Sequence, residues 1–241
     1  MVGSEASVPK PGPSNLTLRW ISSLILAPLV LAITWYGGWP FVALWTIAAC
    51  IVLWEWSMLV RSGGPSPVAF VGWMIAGLAY AAVLAVAPAI LRADAALGFV
   101  AIVFLFAIVW STDVFAYFAG RALGGPKLMP AVSPKKTWSG TAGGTLGAVA
   151  SGLIVVKAAG LQVSVAVAAV ALMLSVVSQA GDLLESAVKR RFNAKDAGHL
   201  IPGHGGLMDR LDGFLTAVLA ATLVGLLRGG LEAPARGLLI W

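Results

Sequence analysis

The stretch AALGFVAIVFLFAIVWST, residues 95–112, runs for eighteen residues without a charge. Coiled as a helix it would be about 27 Å long, close to the roughly 30 Å hydrocarbon core of a bilayer. The stretch has company. Further charge-free runs cover 20–54, 62–91, 137–156, 158–181 and 213–227. Backbone N–H and C=O groups find no water in lipid, so each run that crosses must satisfy them internally as a helix. No alternating apolar and polar pattern argues for a membrane β-barrel. The runs predict spans at 18–36, 39–60, 68–91, 97–119, 139–157, 161–185 and 211–227, seven in all. The expected fold is an all-α polytopic transmembrane helix bundle with a polar cytoplasmic active-site face.

Composition agrees with that fold. The chain is 59% hydrophobic and 11% charged, with a mean hydropathy of +0.92, whereas a soluble domain carries about 25% charged residues. The prolines Pro9, Pro11 and Pro13 mark residues 1–17 as a disordered cytoplasmic tail. The first span reads as a retained helix, because it has no convincing small-residue cleavage site and more membrane segments follow at once. The expected organisation continues with N-terminal transmembrane helices over 18–110, a catalytic transmembrane domain with cytoplasmic loops over 111–230, and a short C-terminal tail over 231–241. Cys50 stands alone inside a span, so it founds no disulfide framework and reads as a packing residue.

The net charge of +6 is distributed for a membrane and not for nucleic acid. Under the seven-span topology twelve of the Lys and Arg residues fall on one side, and four (Arg92, Lys157, Arg228, Arg236) on the other. That is the positive-inside bias, and it puts the two long basic loops in the cytoplasm together. An integral protein of a bacterial inner membrane is the expected location.

Polar residues concentrate in two stretches, 113–140 and 181–212, which hold six of the ten acidic residues and most of the cytoplasmic Lys and Arg. Carboxylates beside a basic cluster suit a metal–phosphate substrate: the carboxylates hold a hard cation, and the bases neutralise the remaining phosphate charge. Asp182 and Glu185 are three apart at the end of one span, and Asp209 and Asp212 three apart at the start of the next. Each pair shares a helical face. The loop between them carries Lys189, Arg190, Arg191, Lys195 and Asp196 and closes through Pro202 to Gly206, whose glycines allow a ligand close to the backbone. A loop returning between two helix ends could bring both acidic pairs to one cation. The alternative is that these acids neutralise neighbouring Lys and Arg. Asp113 is left between two roles, approaching the metal site or hydrogen-bonding to Tyr117 one turn along.

At this cluster the sequence resembles the phosphatidate cytidylyltransferases, the CDP-diacylglycerol synthases. The resemblance rests on Ser186, Lys189-Arg190, Lys195-Asp196, Pro202-Gly203-His204-Gly205-Gly206 and Asp209-Arg210-Leu211-Asp212, with Gly181-Asp182-Leu183 upstream. The box from Ser133 to Trp138, and Asp113 with Tyr117 to Arg121, extend it over the C-terminal half. Ser139 departs from the acidic residue common in the family. The resemblance implies that CTP and phosphatidic acid give CDP-diacylglycerol and pyrophosphate, in the service of phospholipid biosynthesis. It implies Mg2+, with a second cation left open, held first by Asp182 and Asp209, then by Glu185 and Asp212, with Asp113 as a further ligand. Lys189, Arg190, Lys195, Asp196 and His204 are the expected catalytic residues, and Ser133, Lys135, Lys136, Thr137 and Arg210 the expected substrate contacts. CTP, phosphatidic acid and membrane lipid are the expected partners, with a homodimer among them and nucleic acid excluded.

Two other readings compete. A CTP-dependent polyprenol or phytol-type lipid kinase uses a similar bundle, but the full signature from Lys195-Asp196 to Asp212 disfavours it. A membrane transporter would spread charges along a path through the membrane, and of the six acids in these stretches only Asp113 fits that. No P-loop motif supports an ATPase.

Overall fold

A computed structural model describes residues 15–198, 200 and 205–241, over 15–23 by backbone alone. The elements, in order, are α1 (Asn15–Tyr36), α2 (Gly38–Ser62), α3 (Pro67–Ala93), α4 (Gly98–Leu123), β1 (Lys127–Met129), β2 (Ser133–Thr137), α5 (Trp138–Ala158), α6 (Val165–Arg191), α7 (Met208–Gly229) and α8 (Pro234–Leu239). Helices α2 to α7 are each long and apolar enough to cross a membrane, and α1 is apolar over Leu24–Tyr36. The seven expected spans thus correspond to α1–α7.

The apolar residues divide between an interior and a lipid-facing surface. Val52, Leu84, Phe104, Ile108, Leu174 and Met208 are buried, while Val68, Leu146, Ile154, Val165 and Leu227 are largely exposed. In water such a surface would drive aggregation, but in lipid it is the correct solvent match. Cys50, expected to pack, faces outward from α2; its small thiol suits lipid as well as protein. Close helix approach comes from small residues. On α5, a Cβ at Gly144 would lie 2.6 Å from the Thr112 carbonyl of α4, and one at Gly140 would lie 2.9 Å from the Ala116 carbonyl.

Helix ends explain where the expected bounds shift. The sixth span begins at Val165 and not at residue 161, because Ser164 caps it by accepting from Val167 N at 3.2 Å. It runs on to Arg191 because its last turn is basic, which complements the helix dipole. Helix α7 starts at Met208 and so draws Asp209 into its first turn, where a negative charge is favoured. The loop before α5 contains a two-stranded antiparallel hairpin that hydropathy does not reveal, with Lys127 opposite Thr137 and Met129 opposite Ser133. Both strands are edges, so Pro134 within β2 is tolerated. Residues 231–241, expected as a tail, include α8. Its Leu238 and Leu239 are buried, and its start is tied down by Arg236 N donating to Asp94 at 3.0 Å. The expected tail at 1–17 lies outside the described residues, apart from the start of α1.

Candidate active site

The site is assembled from one end of the bundle: the C-terminal ends of α2, α4 and α6, the N-terminus of α7, the hairpin, and residues 192–198 and 205–207 of the loop between α6 and α7. Thr137 ends β2 and caps α5, its hydroxyl accepting from Gly140 N at 3.1 Å. That cap makes Thr137 a buried anchor for the hairpin, not a group free to meet substrate. The residue before it, Lys136, is thereby aimed at α6, where its ammonium is hydrogen-bonded to Asp182. Ser186 also donates to Asp182, at 3.4 Å. Lys136 and Asp182 remain 28% exposed, on the open side of the site. Ser133 is half-buried and Lys135 exposed on the same strand.

A second group lies deeper. The Lys189 ammonium sits 2.7 Å from Glu185 and 2.6 Å from Asp209, so one lysine joins α6 to α7. Asp209 also accepts from Ala197 N at 3.0 Å and from Gly206 N at 3.1 Å, which folds the returning loop back onto the helix end. Gly205 has a φ of +90°, a conformation that an L side chain resists, and lies directly against Asp209. Glu185 reaches Lys189 only as an ion pair; neither of its oxygens takes a hydrogen bond from the described residues, though both are buried. Asp212 accepts from Gly213 N at 2.6 Å and feels the charges of Asp182, Glu185 and Asp113.

The two expected acidic pairs therefore share faces but not partners. Asp182 turns to the hairpin, Glu185 and Asp209 share Lys189, and Asp212 crowds against other acids. Among the described residues no three acidic, His or Cys side chains come together as a ligand set for one ion. The expected set of Asp182, Asp209, Glu185, Asp212 and Asp113 is not assembled, because ammonium groups take up Asp182, Glu185 and Asp209. The donors still suit a hard cation. They are all carboxylate oxygens, and Asp212 lies within electrostatic reach of the acids Asp182, Glu185 and Asp113.

Asp113 comes within electrostatic reach of Asp182, Lys136 and Arg210, which places it at the site. Its alternative partner, Tyr117, meets Arg121, the Tyr117 hydroxyl accepting at 2.9 Å. Arg210 is exposed at the start of α7. Arg190 is exposed and donates to the Ala194 carbonyl at 2.8 Å, while Lys195 and Asp196 stand exposed on the loop. His204 lies outside the described residues.

Two residues of the site escape a motif reading. Glu55 on α2 accepts from Leu207 N at 3.0 Å and from Met208 N at 2.7 Å, at the very start of α7. Its signal was available: it is the one charge between Arg19 and Arg61, and an isolated carboxylate in a span is functional by default. Tyr80 on α3 has a buried hydroxyl with no partner among the described residues, within electrostatic reach of Asp212, Glu185, Asp209 and Asp182. Nothing local in the sequence distinguishes it.

Residues 66–227 match the cytidylyltransferase family. The chain is 39% identical to the phosphatidate cytidylyltransferase of Brucella suis biovar 1 (strain 1330), over 92% of this chain and 97% of that one. It is 34% identical to the phosphatidate cytidylyltransferase of Rickettsia felis (strain ATCC VR-1525 / URRWXCal2), over 83% and 88% of the two chains. With the enzyme of the same name from Bacillus subtilis (strain 168), identity is 47% over 45% of this chain and 40% of that one.

Proposed function

The chain belongs to the cytidylyltransferase family, and from that premise we propose how its residues carry the reaction. It transfers a cytidylyl group from CTP to phosphatidate. A lipid phosphate oxygen attacks the α-phosphorus of CTP, the bond from that phosphorus to the bridging oxygen breaks, and pyrophosphate leaves. CDP-diacylglycerol remains in the membrane. Two anions must meet, so positioning and charge compensation dominate the catalysis.

The observation that carries this reading is the placement of Lys136 and Lys189 among the carboxylates at the ends of apolar spans. A lipid headgroup and a nucleotide from water meet at that level. Lys136 and Lys135 on the hairpin, with Arg190, Lys195 and Arg210, supply positive charge to the triphosphate and the lipid phosphate. Lys136 must exchange Asp182 for phosphate as substrate arrives. Lys189 stays buried and holds the loop through Asp209.

A divalent cation, Mg2+, would be held first by Asp182 once phosphate draws Lys136 away from it, with Asp212, Asp113 and Glu185 as the further carboxylates that would have to move in to complete the set. When bound it would neutralise phosphate charge as a Lewis acid. Asp209, with its oxygens already taken by Lys189, Ala197 N and Gly206 N, organises the loop in this assignment. The basic loops support a site on the cytoplasmic face of a bacterial inner membrane, where CTP is supplied.

The test is the activity itself, measured in sealed vesicles of known orientation supplied with phosphatidate, Mg2+ and external CTP. Inside-out vesicles should release pyrophosphate and accumulate CDP-lipid, and right-side-out vesicles should do so only after permeabilisation. Phosphorylation of a polyprenol with release of CDP would overturn the reading in favour of a lipid kinase.

A further inference from the structure

We propose that Glu55 is a positioning residue for this reaction: its carboxylate, delivered from α2, clamps the start of α7 and so sets Asp209 and the loop that lies over it. The inference rests on the functional reading above but concerns a residue outside the matched region 66–227.

Glu55 is 1% exposed, inside a helix that is otherwise apolar on its buried side. A carboxylate in a span is costly unless paired or useful. Here it is satisfied by the backbone across 152 residues of sequence, with Leu207 N on one oxygen and Met208 N on the other. Helix α7 needs such a partner. Its N-cap position is Leu207, which offers no side-chain acceptor to the unpaired N–H groups of the first turn. A negative group there also complements the helix dipole.

The loop is shaped to admit it. A Cβ on Gly198 would lie 2.6 Å from a Glu55 oxygen, and a Cβ on Gly206 would lie 3.0 Å from the same oxygen. Both positions are therefore closed to larger residues while Glu55 stands there. Gly206 N and Ala197 N point the other way, to Asp209. The loop is thus pinned between two carboxylates, Glu55 from α2 and Asp209 from α7. On its α2 side it borders a cavity of about 500 Å³ lined by Met58 and Ser62 of α2 and by Ala194, Asp196 and Leu200, so among the described residues packing leaves that side open. The Glu55 bonds fix it there instead.

Glu55→Gln tests the proposal, because glutamine keeps the size but can accept with only one group, and its amide turns an N–H toward a backbone N–H. Glu55→Asp keeps both acceptors on a shorter arm. In full-length protein purified in detergent, kcat of Glu55→Gln should fall about tenfold or more, while KM for phosphatidate moves less than about threefold. Glu55→Asp should recover part of the kcat. Hydrogen exchange should quicken at Ala197 and over 205–209 in Glu55→Gln and leave α4 and α5 unchanged. Wild-type kcat in Glu55→Gln, or a loss that comes with faster exchange throughout the bundle, would overturn the assignment. If the wild-type protein makes no CDP-lipid, the functional reading fails, and exchange confined to the loop still decides whether Glu55 clamps it.

Discussion

The two ion-pair groups of the site differ in depth, and in the proposed reading that difference separates chemistry from scaffold. Lys136 and Asp182 meet at the open side, each 28% exposed, and the lysine arrives on a short hairpin. Lys189, Glu185 and Asp209 are 11%, 1% and 9% exposed and join two spanning helices. A half-exposed pair contributes about 0–1 kcal/mol, so Lys136 can leave Asp182 for a phosphate at little cost to the fold. Buried charges behave differently. Removing one partner of such a group costs about 3–5 kcal/mol, because the charge left behind has no water. The basic signature residues thus include an exchangeable contact in Lys136 and a fixed strut in Lys189.

The sharpest break of this comparison is Lys189→Met. It strands Glu185 and Asp209 in a site where neither has water, and it unties α6 from α7 and the loop. Thermal unfolding in detergent should show a loss of about 3–5 kcal/mol, with activity falling below detection. A stable but inactive Lys189→Met protein would instead make this lysine a direct phosphate contact.

Asp182→Asn should do the opposite. Stability should change by less than about 1 kcal/mol, because the Lys136 pair is half-exposed, while activity falls on the order of a hundredfold if Asp182 helps hold the cation. Raised Mg2+ should restore part of that loss. If Asp182 only balances Lys136, Asp182→Asn should instead lose stability, the double variant Asp182→Asn, Lys136→Met should regain it, and Mg2+ should have no effect on either. That second pattern would remove Asp182 from the cation site.

Much of this was legible in the sequence. Charge-free runs located the spans because lipid leaves the backbone one solution over such a length. Spacing also placed Asp182 with Glu185 and Asp209 with Asp212 on shared faces, as the helices do. Partner choice was not legible. Lys136 finds Asp182 across 46 residues, and Glu55 finds α7 across 152. Those meetings depend on how the helices pack and on a hairpin too short to announce itself. The i,i+4 pair of Glu185 and Lys189 needs only local geometry, and it appears as expected of a helix.

The smallest effect should come from the opposite end of the bundle, where Asp94 resembles Glu55 in being a carboxylate bound by backbone N–H groups. It accepts from Ala96, Leu97 and Arg236, each at 3.0 Å, and so holds the turn between α3 and α4 and ties down α8. Burial works against its charged form, but the donors from Leu97, Arg236 and Ala96, with the Arg236 charge, outweigh it and hold the carboxyl below the ordinary aspartate value. A depressed folded-state pKa gives stability that is present above the unfolded value of about 3.9 and is lost as pH falls through the lower folded value. Asp94→Ala should therefore cost about 1 kcal/mol at neutral pH, the usual net contribution of such hydrogen bonds. The gap to wild type should close below about pH 4, once the native carboxyl is protonated too. Turnover should stay at the wild-type level, since no residue near Asp94 belongs to the site. A pH-independent gap would mean that Asp94 acts through packing alone. A turnover loss comparable to that of Glu55→Gln would show that a carboxylate binding backbone N–H groups at either end of the bundle reaches the chemistry, and the division between strut and exchangeable contact would no longer hold.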